Sequence, residues 1–194
     1  MQQCKSVKLD CLFGFCSVLF IVLKPVLNLN QIRELLKKPE PKEYLPCAEL
    51  SSGIPLGCIT EVSGTGKTEF LIQFLQKNSG RRVVWVEEYF SLFPLAIFQR
   101  GISPEQILFV DAGKEIEWVI LNALRSQAFP IVIFDRKECD SIFLKRIQLA
   151  TKRAQSATIW TTTQSQNFWT SSLQLQVKRE GEKIEVDVLR KRAV

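Results

Sequence analysis

Gly64-Thr65-Gly66-Lys67-Thr68 is the segment whose residue types and spacing most directly support chemistry. It follows the run Cys58-Ile59-Thr60-Glu61-Val62-Ser63 and precedes a stretch of helical periodicity. In that strand–loop–helix context, backbone N–H groups and a helix N-terminus gather around a phosphate. Glycines let the N–H groups turn inward, a lysine reaches the β- and γ-phosphates, and a threonine hydroxyl ligates Mg²⁺. The five residues are therefore candidates for binding ATP with its Mg²⁺. The spacing G-x-x-x-x-G-K-[ST] is not met, however, because the position five before Gly66 is Glu61. The loop is short or differently shaped, and a carboxylate at the turn repels a triphosphate unless the strand runs on and Glu61 points elsewhere. A glycine turn capping a helix through Thr65 or Thr68, with no nucleotide, is the competing reading.

Asp135 ends the apolar run Ile131-Val132-Ile133-Phe134. Open α/β sheets place their ligand crevice at such carboxyl ends. Asp135 there either holds the Mg²⁺ water shell near Thr68 or caps a turn. Glu87 and Glu88 end another strand, where one carboxylate can activate a water or the two can form an exposed acidic pair. Gln164 closes the run TIWTTTQ, either as a γ-phosphate sensor or as the first residue of a polar loop. Glu88 and Gln164 are the catalytic candidates, and Thr68 with Asp135 the Mg²⁺ candidates. The chain has no histidine, which excludes Ser-His-Asp and Cys-His hydrolysis, His-ligated zinc and imidazole proton shuttling.

The elements that must position these residues alternate between short apolar runs and helical periodicity, the pattern of an α/β fold with a mainly parallel sheet. Strands are expected at 58–63, 82–87, 106–110, 130–135 and 157–163, and helices at 67–77, 91–100, 114–127 and 141–155. A half-buried hairpin is expected from the alternation of Leu173, Leu175 and Val177 and of Ile184, Val186 and Val188, with a basic tail at Arg190–Arg192. Upstream, 27–52 reads as a short helix containing Ile32, Leu35 and Leu36, then a linker at Pro39, Pro41 and Pro46. Cys11–Leu23 is a thirteen-residue apolar run, shorter than the roughly 20 residues of a spanning helix. No small-x-small cleavage site follows it. Residues 1–26 are open to three readings: a leader outside the functional protein because of an early start, a membrane anchor, or an element packed on the domain.

The 194 residues suit one α/β domain spanning 53–194 plus its N-terminal extension. A net charge of +6 favours polyanionic or acidic partners. The six cysteines form no C-x-x-C pair and suggest reduced thiols in a cytoplasmic protein. Six basic residues between 136 and 153 face two acids. In the helix expected at 141–155, Lys145 and Lys152, and Arg146 and Arg153, are each seven apart and stack in two rows opposite a buried stripe of Phe143, Ile147, Ala150 and Ala154. These four cations are candidates for a nucleic-acid backbone surface, or a solvated helix face. Phe168 and Trp169 either stack on exposed bases or pack over the sheet edge.

Six blocks in order, GIPLGCITEVSGTGKT, VVWVEE, ILFVDA, ALRSQAFPIVIFD, LKRIQLATKRAQSATIWTT and LQLQVKREGEKIEVDVLRKR, resemble the RecA-like P-loop ATPases. Within them, the chain most resembles the ImuA-type (SulA/RecA-like) accessory proteins of bacterial mutagenic repair. The resemblance covers about 53–190 and implies a RecA-like core with a C-terminal hairpin. It also implies a Walker B role for Asp135, a catalytic glutamate at Glu88 and a sensor at Gln164. Two departures stand out: the loop is about three residues shorter than a recombinase's, and the glutamate block fits only with a one-residue shift. The chain also has no room for a recombinase's C-terminal domain, so an accessory or scaffold role in SOS-type translesion synthesis is expected. Expected partners are DNA-polymerase-type repair proteins, single-stranded DNA and a second copy of the chain, without stable membrane association. The alternatives are an active P-loop ATPase or small-molecule kinase, and a membrane-tethered regulator.

Overall fold

Ile131-Val132-Ile133-Phe134 sends side chains alternately to two faces, and both faces are covered. Ile131 and Ile133 pack with Phe70, Phe74 and Trp85, while Val132 and Phe134 pack with Ile120, Phe143 and Trp160. In the computed structural model, which describes residues 43–166, 169–181 and 183–192, this run is β6 of a seven-stranded sheet. The readings of 1–26, the helix near 27–36 and Phe168 lie outside the described residues.

The elements run β1 (Tyr44–Leu45), β2 (Ile54–Pro55), β3 (Cys58–Ser63), α1 (Lys67–Lys77), β4 (Val83–Glu87), α2 (Pro94–Gln99), β5 (Ile107–Asp111), a 3₁₀ turn (Gly113–Glu115), α3 (Ile116–Ser126), β6 (Ile131–Asp135), α4 (Ser141–Ala154), β7 (Ala157–Thr162), β8 (Ser171–Glu180) and β9 (Lys183–Lys191). The sheet order is β5-β4-β6-β7-β3-β8-β9, parallel except for the antiparallel β8–β9 pair. Among the described residues, no helix is long and apolar enough to cross a membrane.

The differences from expectation have local causes. The helix expected over 91–100 shortens to Pro94–Gln99 because Pro94 sets its first turn and the Ser91 N–H is held by the Glu87 side chain. The part of the expected linker nearest the domain contains the antiparallel pair β1–β2, with Tyr44 opposite Pro55. On α4 the buried stripe is Phe143, Leu144, Ile147 and Thr151, and Ala150 and Ala154 are only half-buried. The Thr151 and Thr158 hydroxyls meet at 2.7 Å, drawing that side of α4 onto β7.

Glu61 is fully buried in β3. Its carboxylate accepts from the Gln166 N–H at 2.7 Å, Gln174 Nε2 at 2.8 Å and Ser171 Oγ at 3.4 Å. It faces the β7–β8 connection, so the strand runs on past it and the turn begins later. Removing the acceptor orphans three donors in a dry site. Glu61→Ala is expected to cost roughly 3 kcal/mol in urea unfolding and Glu61→Gln about half as much; equal stability of all three proteins refutes the role.

Candidate functional site

β3, β4, β6 and β7 all end at one edge of the sheet, where parallel strands bring their carboxyl-terminal residues level. Glu87 lies opposite Asp135, and Asp135 opposite Thr161. Asp135 is therefore one strand from Thr161 and two from the loop after β3. Lys67, the first residue of α1, spans that gap: its Nζ donates to Asp135 Oδ2 at 2.6 Å. The Thr161 hydroxyl donates to the same oxygen at 2.7 Å. Sequence reasoning overlooked Thr161, although its place in the TIWTTTQ run was the available signal.

The loop itself lies flat on β8. Gly64 has φ +103°, and a Cβ there would sit 2.2 Å from the Val177 carbonyl oxygen. At Gly66 a Cβ would meet Val177 Cγ1 at 2.8 Å. The Gly66 N–H donates to the Val177 carbonyl at 3.2 Å. The glycines thus admit a neighbouring strand's backbone, and one inward N–H is already engaged. Gly66 is the N-cap of α1 and makes no side-chain cap bond, so the reading in which Thr65 or Thr68 caps the helix is not realised. Thr65 is exposed and Thr68 half-buried. In the first turn, the Arg100 hydrogen bond holds the Glu69 carboxyl below its usual range.

These observations test the fit of Mg²⁺-ATP. Thr68, Lys67 and Asp135 are the right donor types. In this structure the loop lies against β8, with Val177 in the space that the two glycines leave open. Glu87 is closed off by the Ser91 N–H at 2.6 Å and the Ser91 hydroxyl at 3.1 Å. Glu88 is half-buried beside Arg136. Burial lowers the Arg136 pKa, but the Glu117 hydrogen bond, with smaller help from Glu88, carries it above its ordinary value. Gln164 is exposed, and its carbonyl accepts from the Thr162 hydroxyl at 3.2 Å. Among the described residues, no three Cys, Asp or Glu side chains converge on a metal position. Cys47, Cys58 and Cys139 are free thiols, and burial pushes Cys47 and Cys139 up to about 12.

The four candidate cations of α4 are exposed but face different neighbours. Lys145 Nζ lies 5.4 Å from the centre of the Trp169 ring, and Arg192 Nη1 donates to the Trp169 carbonyl at 2.6 Å. Arg146 instead lines a groove with Trp118 and Arg125 of α3. Lys152 repeats the row of Lys145 and Arg153 that of Arg146, because seven residues are nearly two helical turns. Trp169, in the turn before β8, is half-exposed with the Lys145 side chain against its ring.

No family model matches the chain, and no curated protein is significantly similar to it. Among solved structures, the chain is similar to the crystal structure of the RadB recombinase, with 17% identity and a TM-score of 0.59 over 75% of this chain and 86% of that one. At this identity the likeness shows the fold, a RecA-like α/β core.

Gly64→Ala is expected to cost roughly 2–4 kcal/mol, combining left-handed strain with a backbone clash. Gly80→Ala, also at positive φ but with nothing within 4 Å of its Cβ, is expected to cost about 1 kcal/mol. Denaturant melts of both variants check this, and equal losses rule out the seating of the loop on β8.

Proposed function

We propose that the chain is a RecA-like accessory or scaffold protein of DNA repair, of the kind that serves damage-induced translesion mutagenesis in the bacterial cytoplasm. On this reading it binds ATP weakly or not at all. The observation that carries it is the state of the loop: the Gly66 N–H is held by Val177, and the Lys67 ammonium by Asp135. The groups that hold a nucleotide elsewhere satisfy one another here. The fold shared with a protein named a recombinase supports placing the chain in DNA repair. Its partners would be DNA-polymerase-type repair proteins and single-stranded DNA, with self-association as a further mode.

For nucleic acid, the reading draws on the lysine row of α4. Lys145 sits beside the Trp169 face, with Arg192 tied to the same tryptophan, and Lys152 repeats its row about two turns on, which combines backbone charge with a stacking surface. Arg146 and Arg153 add charge from the neighbouring row. A second reading, an active P-loop ATPase or small-molecule kinase using Lys67, Thr68, Asp135 and Glu88, is favoured by the donor types at that edge, an ammonium and a hydroxyl at the start of α1 and a carboxylate at the end of β6.

Thermal melting with millimolar Mg²⁺-ATP separates the two. The accessory reading expects a shift below about 1 °C. An upward shift of about 5 °C or more that Lys67→Ala abolishes establishes a working nucleotide site.

Lys145→Glu with Lys152→Glu is expected to weaken binding of a single-stranded oligonucleotide by at least about tenfold and to flatten its salt dependence by about two counterions. Unchanged affinity and slope would remove the lysine row from the nucleic-acid surface.

A further inference from the structure

α3 and α4 pack on the same face of the sheet. Between them lies a groove of about 270 Å³ lined by Lys114, Glu115, Glu117, Trp118, Arg125 and Arg146. Trp118 is 65% exposed. On α4 beside the groove, Ile142 and Leu149 are 69% and 61% exposed. Seven residues apart, they form one apolar line between the lysine row and the arginine row. Three large apolar side chains thus stand exposed on adjacent helices.

The charge around the groove identifies what covers it. Glu117 is paired with Arg136 at 2.7 Å. Among the described residues, Lys114, Arg125 and Arg146 have no ion-pair partner, and they face only Glu115 in return. A nucleic-acid backbone would answer those cations but offers nothing to bury Ile142 and Leu149 against. An amphipathic helix with an acidic flank meets both demands. We infer that the α3–α4 groove docks such a helix from a protein partner, with its apolar residues over Trp118, Ile142 and Leu149 and its carboxylates toward Lys114, Arg125 and Arg146. The proposal does not depend on whether nucleotide binds at the phosphate loop.

The test uses the full chain and a fluorescent peptide of about 18 residues, built from Leu and Glu with Leu at i, i+3, i+4 and i+7. A control peptide of the same composition has its Leu spread around the helix. The patterned peptide is expected to bind at least about tenfold more tightly than the control, with both Trp118→Ser and Arg146→Glu weakening it about tenfold and Lys145→Glu changing it less than threefold. Because Trp118 and Arg146 are surface residues, a melting curve verifies that each variant is folded. The inference is overturned if the two peptides bind equally, if neither binds at about 1 mM, or if Lys145→Glu is as damaging as Arg146→Glu. It is also overturned if a thymidine oligonucleotide of about 20 nucleotides displaces the bound peptide and Trp118→Ser abolishes the oligonucleotide's own binding.

Discussion

The close approach of the loop after β3 to the backbone of β8 is the constraint on which the rest of the site depends. Val177 presents its carbonyl to Gly64 and its side chain to Gly66, at distances that leave no room for a Cβ. Glycine is required at both positions because another strand occupies the space, and at Gly64 because φ is positive as well. Once the loop is pinned there, α1 must begin at Lys67, and the lysine side chain is aimed across the end of β7 toward Asp135. The parallel register of β3, β7 and β6 makes that reach possible, since it brings Ser63, Thr162 and the neighbourhood of Asp135 to the same level.

Several polar groups at this edge are satisfied from within. Lys67 and Thr161 converge on one carboxylate oxygen of Asp135, Ser91 closes Glu87, and Ser63 donates to the Leu175 carbonyl. Deeper in the sheet, Glu61 gathers donors from three positions in and after the β7–β8 connection. A buried carboxylate is tolerable only when its lone pairs are occupied by donors, because desolvation otherwise outweighs what burial contributes. Glu61 therefore fixes the connection that carries Gln164 and leads to Trp169. It also links that connection to the strand feeding the loop.

α4 divides the basic character of the chain. Its buried face is set by Phe143, Leu144, Ile147 and Thr151, and its two outward rows of cations look toward different neighbours. Lys145 of the lysine row lies over Trp169, and Arg146 of the arginine row lines the groove with α3. Asp140 caps the helix through the Phe143 N–H at 2.7 Å, which fixes where the first turn starts and hence which residue falls on which row. The net charge of the chain is thereby sorted into two surfaces with different apolar surroundings.

Much of this was legible in the sequence because it is local. Apolar runs and helical periodicity gave five of the six parallel strands and four helices after Ser51 to within a few residues, and Gly64 through Thr68 marked the turn. The alternation around Leu175 and Val186 marked the hairpin, since a period of two requires only that one face be covered. What tertiary structure decided was which groups meet. Glu61 read as an obstacle to phosphate because spacing counts residues along a strand and cannot tell which way a side chain points. Thr161 was signalled only by its place in the TIWTTTQ run, and Val177 only as one member of an alternating strand. Their importance comes from neighbours 26 residues before and 113 before in the chain, Asp135 and Gly64. The sequence by itself determined the elements and their order, because those follow from periodicity and turn chemistry within a short window. Only the packed sheet decided that Lys67 faces Asp135, that Lys145 and Arg146 meet different neighbours, and that the loop rests on β8, because each depends on strand register and helix rotation between segments far apart in the chain.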